Sequence, residues 1–211
     1  MNIEKHINKL IIISSPSGAG KTTLCKLLKK RFKNISLSIS YTTRTKRITE
    51  KNKKDYFFTD KKNFTNLKNK NFFIETAKIF DNYYGTLKEP VTKSLSKGKD
   101  VLFDIDWQGT QQLKKIQDLT LTTFFILPPN IATLKERLFN RHKDQETLIS
   151  KRMAKFNEEL SHWDEYNYVV VNDDLEMCYK KIIDIIKSEK KGIKKKQNLD
   201  NIKNKVKQLI V

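Results

Sequence analysis

Residues 15–23 of the chain read Ser15-Pro16-Ser17-Gly18-Ala19-Gly20-Lys21-Thr22-Thr23. The apolar run 10–13 stands directly before them and is typical of a buried strand in a parallel sheet. After them, apolar residues recur at helical spacing from Leu24 to Phe32. A strand, a glycine-containing loop and a helix in this order predict a cradle for phosphate groups at a helix N-terminus.

Each residue type in this loop has a chemical reason to be there. Gly18 and Gly20 allow backbone amides to approach phosphate oxygens, and Lys21 reaches the outer phosphates. The Thr22 hydroxyl can ligate Mg²⁺. The usual motif opens with glycine, whereas Ser15 stands at that position. The alternative is an ordinary glycine-containing turn, which the preceding strand and the Gly-Lys-Thr ending disfavour.

A second apolar strand, at 101–103, ends in Asp104-Ile105-Asp106. In doubly wound sheets, ligands bind at the carboxyl ends of the strands. We therefore expect Asp104 to hold Mg²⁺ through a water molecule. The alternative is a solvated aspartate at a strand end.

Strands alternate with helices along most of the chain. Further strands are predicted at 36–40, 121–127 and 168–171, and helices at 22–33, 90–97, 108–115, 131–140, 146–160 and 175–190. This alternation predicts an α/β fold with a parallel sheet flanked by helices. Residues 41–85 break it with aromatic residues, short strands at 56–59 and 72–80 and a helix at 61–67, which indicates a small mixed insert. Polar residues 142–145, between two helices, are predicted to form a lid.

Composition limits the classes of partner. The chain has 211 residues and a net charge of +19, from 43 Lys and Arg against 24 Asp and Glu. Only six of the basic residues are Arg, and the Lys are spread along the chain, which disfavours nucleic acid as a partner. The basic tail is the exception, with nine Lys and two acids in 187–211. Two Cys make no disulfide framework, and His and Cys show no metal-ligand spacing.

No apolar run approaches the length of a membrane span, and no signal peptide precedes the first strand. We therefore expect no membrane contact and a cytoplasmic location. In the tail, residues 199, 202, 206 and 209 are apolar at helical spacing. They predict a short helix that packs either on the body of the chain or on a second subunit. The second alternative would make the protein a homo-oligomer. We expect turnover to survive removal of this tail.

Arg31 lies in an ordinary helical stretch, and the other five arginines fall into two groups. The first is Arg44 and Arg47, and the second is Arg137, Arg141 and Arg152. A guanidinium is a planar fork that suits phosphate oxygens better than an ammonium does. Our hypothesis is that these five mark places where phosphates bind.

The insert carries groups that suit a nucleotide. Arg44 and Arg47, next to Ser40, can fork onto a phosphate, and Tyr56 and Tyr84 add phenolic donors. The alternatives are ordinary surface arginines and tyrosines that pack in the core.

Glu75 lies in the apolar stretch that begins with Phe72-Phe73-Ile74. Guanine presents two adjacent donors, N1–H and N2–H, which adenine lacks. A buried carboxylate facing that edge discriminates strongly, because the wrong base leaves its charge unpaired. Asp106 can accept another such bond. The alternative places Glu75 on the exposed face of a strand.

Several segments, in family order from 10 to 190, resemble the guanylate kinase family. They are Ser15-Pro16-Ser17-Gly18-Ala19-Gly20-Lys21-Thr22-Thr23, Ser38-Ile39-Ser40-Tyr41-Thr42-Thr43-Arg44, Asn82-Tyr83-Tyr84-Gly85, Asp104-Ile105-Asp106-Trp107-Gln108-Gly109 and Val171-Asn172-Asp173-Asp174. The resemblance implies a P-loop core at 1–40 and 87–190 with a lid at about 137–152. It also implies a GMP-binding insert at 41–86, followed by the basic C-terminal tail, 191–211.

The resemblance also implies roles for individual residues. The GMP phosphate contacts fall on Ser40, Arg44, Arg47, Tyr56 and Tyr84, and the guanine contacts on Glu75, Thr86 and Asp106. The ATP contacts fall on Ser15, Pro16, Ser17, Gly18, Ala19, Gly20, Lys21, Thr22 and Thr23, with Asn172 near the adenine. The catalytic charges are Lys21, Arg44, Arg137, Arg141 and Arg152, and Mg²⁺ accompanies ATP on Thr22 and Asp104.

The chain departs from the family pattern in its loops. Thr49 and Lys53 replace glycines in the insert, and Asn140 and His142 replace the glycines that flank Arg141.

The implied reaction is phosphorylation of GMP, and of dGMP, by ATP. Two alternatives remain: a guanylate-kinase-like module that binds partners without catalysis, and a monophosphate kinase with another base specificity. The intact Gly20-Lys21-Thr22 disfavours the first, and Glu75 is the residue that discriminates the second.

Overall fold

The structure is a computed structural model that describes residues 9–141 and 146–210. Its strands are β1 Lys9–Ser14, β2 Ile35–Leu37, β3 Tyr41–Thr42, β4 Phe57–Phe58, β5 Phe73–Ile79, β6 Asn82–Leu87, β7 Asp100–Asp104, β8 Thr120–Leu127 and β9 Tyr168–Val171. Its helices are α1 Lys21–Arg31, α2 Lys61–Asn69, α3 Lys88–Ser96, α4 Trp107–Lys114, α5 Ile131–Arg141, α6 Glu146–Ala154, α7 Phe156–Ser161, α8 Leu175–Lys190 and α9 Leu199–Leu209.

The larger sheet has the strand order β2-β7-β1-β8-β9. β2 pairs with β7 in parallel, with Ile35 opposite Asp100, and β8 pairs with β9 in parallel, with Phe124 opposite Tyr168. The central strands are buried along almost their whole length, which explains their continuous apolar sequences. The α/β fold with a parallel sheet is therefore confirmed.

Contacts divide the described residues into two compact units. Residues 9–11 and 32–121 form the first, here called the acceptor unit, and residues 12–31 and 122–210 form the second, here called the loop unit. This division follows contacts alone, and the predicted boundaries of core, insert and tail stay a prediction.

The acceptor unit contains a smaller sheet with the order β4-β3-β6-β5. β5 and β6 form an antiparallel pair, and α2 packs aromatic rings against it, with Phe64 stacked on Phe73 at 4.6 Å between centroids. Gly85 in β6 leaves room for this layer, because a Cβ there would lie 3.0 Å from Phe73 Cδ1. The aromatic residues of the insert thus form its core.

Lys53 has φ +63°, a left-handed conformation that favours glycine. The family pattern has glycine at this position, so the chain keeps the turn with a lysine in it. The Asn52 side chain accepts hydrogen bonds from the Lys53 and Phe58 amides, at 3.0 and 3.1 Å, and stabilises the turn.

One apolar cluster of the loop unit lies between β8, β9 and the helices α5, α6, α7 and α9. Its buried members are Phe125, Leu127, Leu134, Leu138, Phe156, Leu160, Tyr166, Val169, Val206 and Leu209. Val206 and Leu209 belong to α9, so the tail does form the predicted helix, and it packs on the body of its own chain.

Some predicted elements differ from those observed. The strand predicted at 36–40 ends at Leu37, and β3 and β6 were not predicted. The helix predicted at 146–160 is interrupted at Lys155, between α6 and α7. Phe156 and Leu160, which follow the interruption, both reach the apolar cluster. Residues 142–145 of the predicted lid lie outside the described residues.

Candidate functional site

The glycine loop lies between β1 and α1 in the loop unit. Gly18 and Gly20 have φ +94° and +102°, in the left-handed region. A Cβ on Gly20 would lie 2.3 Å from Asn172 Nδ2, and one on Gly18 would lie 3.0 Å from both Leu134 Cδ1 and Leu138 Cδ2. Both positions therefore need glycine, for conformation and for space.

Asn172 follows β9 and fixes the middle of this loop. Its buried side chain donates from Nδ2 to the Ala19 carbonyl at 2.7 Å. Its backbone carbonyl accepts two hydrogen bonds, both of 3.2 Å, from Arg137 Nη1 and Nη2. Asn172 thus joins a predicted catalytic arginine to the loop. Its predicted position near the adenine of ATP stays a prediction.

Two charged side chains hold the start of the loop. The Ser17 amide donates to Glu159 Oε2 at 2.8 Å, and Arg152 Nη1 donates to Ser17 Oγ. Ser15, which replaces the usual glycine, is buried, and its hydroxyl donates to the Pro16 carbonyl at 2.9 Å. Sequence reasoning missed Glu159, because it lies 142 residues from Ser17 and no motif marks it.

The other predicted loop residues stand where the motif requires. Lys21, Thr22 and Thr23 form the first turn of α1, where helix amides favour negative charge. Arg141 is the last residue of α5, and its side chain lies outside the described residues.

The acceptor unit brings together the arginines of the first group. Arg44 Nη2 and Arg47 Nη1 donate to Glu50 Oε1 at 2.7 and 3.2 Å, and the Arg47 amide donates to Glu50 Oε2 at 2.9 Å. The Arg44 guanidinium also lies 5.5 Å from the Tyr56 ring centroid and 5.8 Å from that of Phe58. Sequence reasoning missed Glu50, although its position six residues after Arg44 is a local signal.

Glu50 and Arg44 shift each other's pKa. Burial raises the pKa of Glu50, but the hydrogen bonds from Arg44 and Arg47 outweigh burial, and the net pKa is lowered. Burial likewise lowers the pKa of Arg44, but the hydrogen bond to Glu50 and the electrostatic attraction of Tyr84, Glu50 and Tyr56 together outweigh it, and the net pKa is raised. Both groups are charged near neutral pH, so Glu50 orients a cationic pair.

The other predicted GMP residues of the acceptor unit form close pairs. Tyr56 and Tyr84 meet edge to face, with ring centroids 6.0 Å apart. The buried hydroxyls of Ser40 and Thr86 lie 2.9 Å apart, in hydrogen-bond contact.

Glu75 is buried, with 3% of its surface exposed, which contradicts the alternative of a solvent-facing carboxylate. It lies against the first turn of α4, since a Cβ on Gly109 would stand 2.5 Å from Glu75 Oε2. Asp106 caps the same helix, accepting from the Gly109 amide at 3.1 Å and from Gln108 Nε2 at 2.9 Å. The structure thus gives Asp106 a structural role that the sequence did not predict.

The donor set fits Mg²⁺. Asp104 ends β7 and Thr22 lies in the first turn of α1, and both offer the oxygen ligands that Mg²⁺ prefers. Among residues 9–141 and 146–210, no group of three or more His, Cys, Asp or Glu could hold a metal ion. In the same residues, no helix is long and apolar enough to cross a membrane.

A parallel sheet whose first strand leads through a glycine loop into a helix defines a P-loop nucleotide-binding protein. Comparisons with known proteins narrow this class. A family model described as guanylate kinase matches residues 7–189. A guanylate kinase of Nitrobacter winogradskyi is 47% identical over 181 residues, covering 86% of this chain and 83% of the relative. One of Rickettsia felis is 48% identical over 186 residues, covering 88% and 96%.

The crystal structure of guanylate kinase from Anaplasma phagocytophilum is similar to this chain, with a TM-score of 0.70 and 32% identity over 88% of each chain. The chain belongs to the guanylate kinase family. The predicted family and class of enzyme are therefore confirmed.

Proposed function

We propose that this protein transfers the γ-phosphoryl group of ATP to GMP, and to dGMP, giving ADP and GDP or dGDP. One observation carries the base specificity: a carboxylate, Glu75, is buried in the acceptor unit beside Gly109. A buried carboxylate discriminates strongly between bases, because a base without matching donors loses the hydrogen bonds that the carboxylate accepts. The paired N1–H and N2–H donors of guanine match its two oxygens.

The acceptor phosphate binds at Arg44 and Arg47, with Ser40, Tyr56 and Tyr84 as further donors. Support comes from the Glu50 contacts, which hold both guanidinium groups on one carboxylate before any substrate binds. A phosphate accepts paired hydrogen bonds from guanidinium groups, and in the proposed complex it shares Arg44 and Arg47 with Glu50. Thr86 and Asp106 complete the guanine side, where Asp106 also caps α4.

The ATP phosphates bind along the glycine loop, from Ser15 to Thr23. Support comes from the positive φ of Gly18 and Gly20 and from the start of α1 at Lys21. Asn172 keeps the loop in shape through the Ala19 carbonyl and lies on the ATP side. Thr22 and Asp104 would hold Mg²⁺, which would supply positive charge to the ATP phosphates.

In the reaction, an oxygen of the GMP phosphate attacks the γ-phosphorus of ATP. A bond forms between them while the bond from that phosphorus to the bridging oxygen of ADP breaks. The attacking oxygen is already anionic near neutral pH, so no catalytic base is needed. Lys21, Arg44, Arg137, Arg141 and Arg152 neutralise the charge that gathers on the phosphates, and exclusion of water prevents hydrolysis of ATP.

The same proposal places the reaction in the cytoplasm, because the highly charged ATP and GMP do not cross membranes unaided. The intact glycine loop and the hydrogen bonds of Arg44 and Arg137 favour catalysis over a non-catalytic role.

A coupled assay of ADP release with GMP, dGMP, AMP, UMP and dTMP tests the proposal. We expect activity with GMP and dGMP alone. Glu75→Ala should lower kcat/KM for GMP by about 100-fold, since two bonds to a charged acceptor are lost, and leave the KM for ATP unchanged.

Gly109→Ala is a second, independent test, because its Cβ displaces the Glu75 carboxylate without removing it. Glu89→Ala, at an exposed position of α3, is the matched control for Glu75→Ala. Equal rates with AMP and GMP, or an unaltered GMP rate in Glu75→Ala, would overturn the assignment of Glu75.

A further inference from the structure

The C-terminal segment has structure that its charge does not explain. Between α8 and α9, the Gln197 amide bonds to both backbone groups of Val169, accepting from its N–H at 2.8 Å and donating to its carbonyl at 2.9 Å. The Lys195 amide donates to Tyr168 Oη at 3.3 Å, and that hydroxyl donates to Glu189 at 2.5 Å. These bonds fasten the connection to β9, and Asn198, the next residue, caps α9 by accepting from the Asn201 amide at 3.0 Å.

α9 then buries its apolar face in the cluster of the loop unit. Leu209 is 0% exposed and Val206 is 7% exposed, with Ile202 packed against the same cluster. The family model ends at residue 189, so this part of the core lies outside the residues it matches.

The same cluster supports the glycine loop. Leu134 and Leu138, fully buried members of the cluster, form the surface on which Gly18 packs, at 3.0 Å from its Cβ position. A lateral shift of either leucine therefore changes the position of the loop backbone.

The charged contacts of the loop depend on the cluster too. Glu159, which accepts from the Ser17 amide, lies between the buried Phe156 and Leu160 on α7. Arg152, which donates to Ser17 Oγ, precedes Met153, whose side chain packs against the cluster.

We propose that α9 is a positioning element for the glycine loop: Leu209 and Val206 complete the cluster that fixes Gly18, Glu159 and Arg152. This inference rests on the proposed function, because the loop is assigned there to ATP. α9 touches no substrate in this assignment, and it acts through α5, α6 and α7. The expectation from the sequence that turnover survives removal of the tail is therefore revised: loss of α9 should raise the KM for ATP.

Removing part of Leu209 leaves a cavity that neighbouring helices partly fill by moving. Displacements of about 1 Å in groups that position a substrate lower rates by up to about 100-fold. We expect Leu209→Ala to raise the KM for ATP by about tenfold. The KM for GMP should stay unchanged, because the acceptor residues Ser40 to Asp106 belong to the other unit.

The experiment compares Leu209→Ala with Leu199→Ala in the full chain. Leu199 is 58% exposed on the same helix, so it controls for the chemical change. Measurements are the KM for each substrate with the other saturating, and the melting temperature with and without MgATP. Leu209→Met, which keeps the volume, should restore the wild-type KM for ATP.

A merely structural role predicts a different result. Partial unfolding lowers kcat and the melting temperature but leaves the KM for ATP and the KM for GMP at their wild-type values. That result would overturn the inference. If Leu209→Ala does not fold, Leu209→Val and Ile202→Ala take its place in the same comparison. If the wild-type protein phosphorylates no GMP, the proposed function is wrong. The role of α9 is then tested by MgATP binding alone: the rise in melting temperature with MgATP should be smaller in Leu209→Ala than in wild type, and an equal rise would overturn the inference.

Discussion

The two regions that we propose to bind phosphate are built by different means. In the loop unit, the glycine loop is fixed by backbone conformation and close packing, with Gly20 against Asn172 and Gly18 against two leucines. In the acceptor unit, Arg44 and Arg47 are fixed by an ion pair with Glu50. The first region should therefore be sensitive to added volume, and the second to lost charge and to pH.

The largest effect is expected from volume in the loop. In Gly20→Ala the new Cβ meets Asn172 Nδ2 at 2.3 Å, at φ +102°. We expect kcat/KM for ATP to fall by at least about 100-fold, measured by steady-state kinetics, because the loop must move to relieve the clash.

Gly98→Ala is the matched control for that loss. Gly98 also has positive φ, +71°, but nothing lies within 4 Å of its Cβ position. Its cost should be limited to backbone strain, about 1 kcal/mol of stability, with kinetics unchanged. If Gly20→Ala and Gly98→Ala had similar kinetics, the glycine loop would not be especially sensitive to added volume.

A smaller effect is expected when charge is removed from the acceptor unit. Glu50→Gln replaces the carboxylate that accepts from both arginines, so we expect the KM for GMP to rise by about tenfold and the KM for ATP to stay constant. Glu89→Gln, at an exposed position, provides the matched control. A KM for GMP that falls would show that Glu50 competes with the substrate instead of orienting its site.

Glu50 also predicts a loss of stability in acid. Its pKa is lowered in the folded state, so the unfolded chain takes up the proton first as pH falls. The stabilisation is complete above the ordinary glutamate pKa of about 4.3 and is lost as pH falls through the folded value. Denaturant melts between about pH 3 and 6 should show a smaller slope for Glu50→Gln than for wild type.

The smallest effect is expected at the alkaline end, in the loop unit. Burial, helped by the hydrogen bond to Glu189, raises the pKa of Tyr168 to about 12. The unfolded tyrosine ionises first, so its stabilisation is present below about pH 10 and is lost as pH rises toward the folded value. Tyr168→Phe should flatten stability in this window and leave the kinetics near neutral pH unchanged. If the slope of stability against pH above about pH 10 is the same in Tyr168→Phe as in wild type, Tyr168 does not cause the alkaline loss of stability.

The features that could be predicted from the sequence are those with a local physical cause. The glycine loop and the strands around it follow from conformational need and from apolar periodicity, and the fold class and family predicted from them are confirmed. The sequence left open whether Glu75 is buried or lies on the exposed face of a strand, and the structure shows that it is buried. The roles assigned to individual site residues stay predictions.

The contacts that sequence reasoning missed join distant parts of the chain. Glu159 and Asn172 meet the loop across 142 and 153 residues, and neither lies in a motif that names its partner. The short strand β3 has only two residues, Tyr41–Thr42, too few to show a period, and it exists because β4 and β6 pair with it. Such features depend on tertiary packing, which overrides local propensity.

The bonds of Gln197 to Val169 have a consequence for solubility. β9 is the outermost strand in the order β2-β7-β1-β8-β9, and its sequence Tyr168-Val169-Val170-Val171 is strongly β-forming. An open edge of this kind is a template for pairing with another chain, which leads to aggregation. Gln197 occupies both backbone groups of Val169 with a single side chain, so the lysine-rich segment protects the edge as well as placing α9.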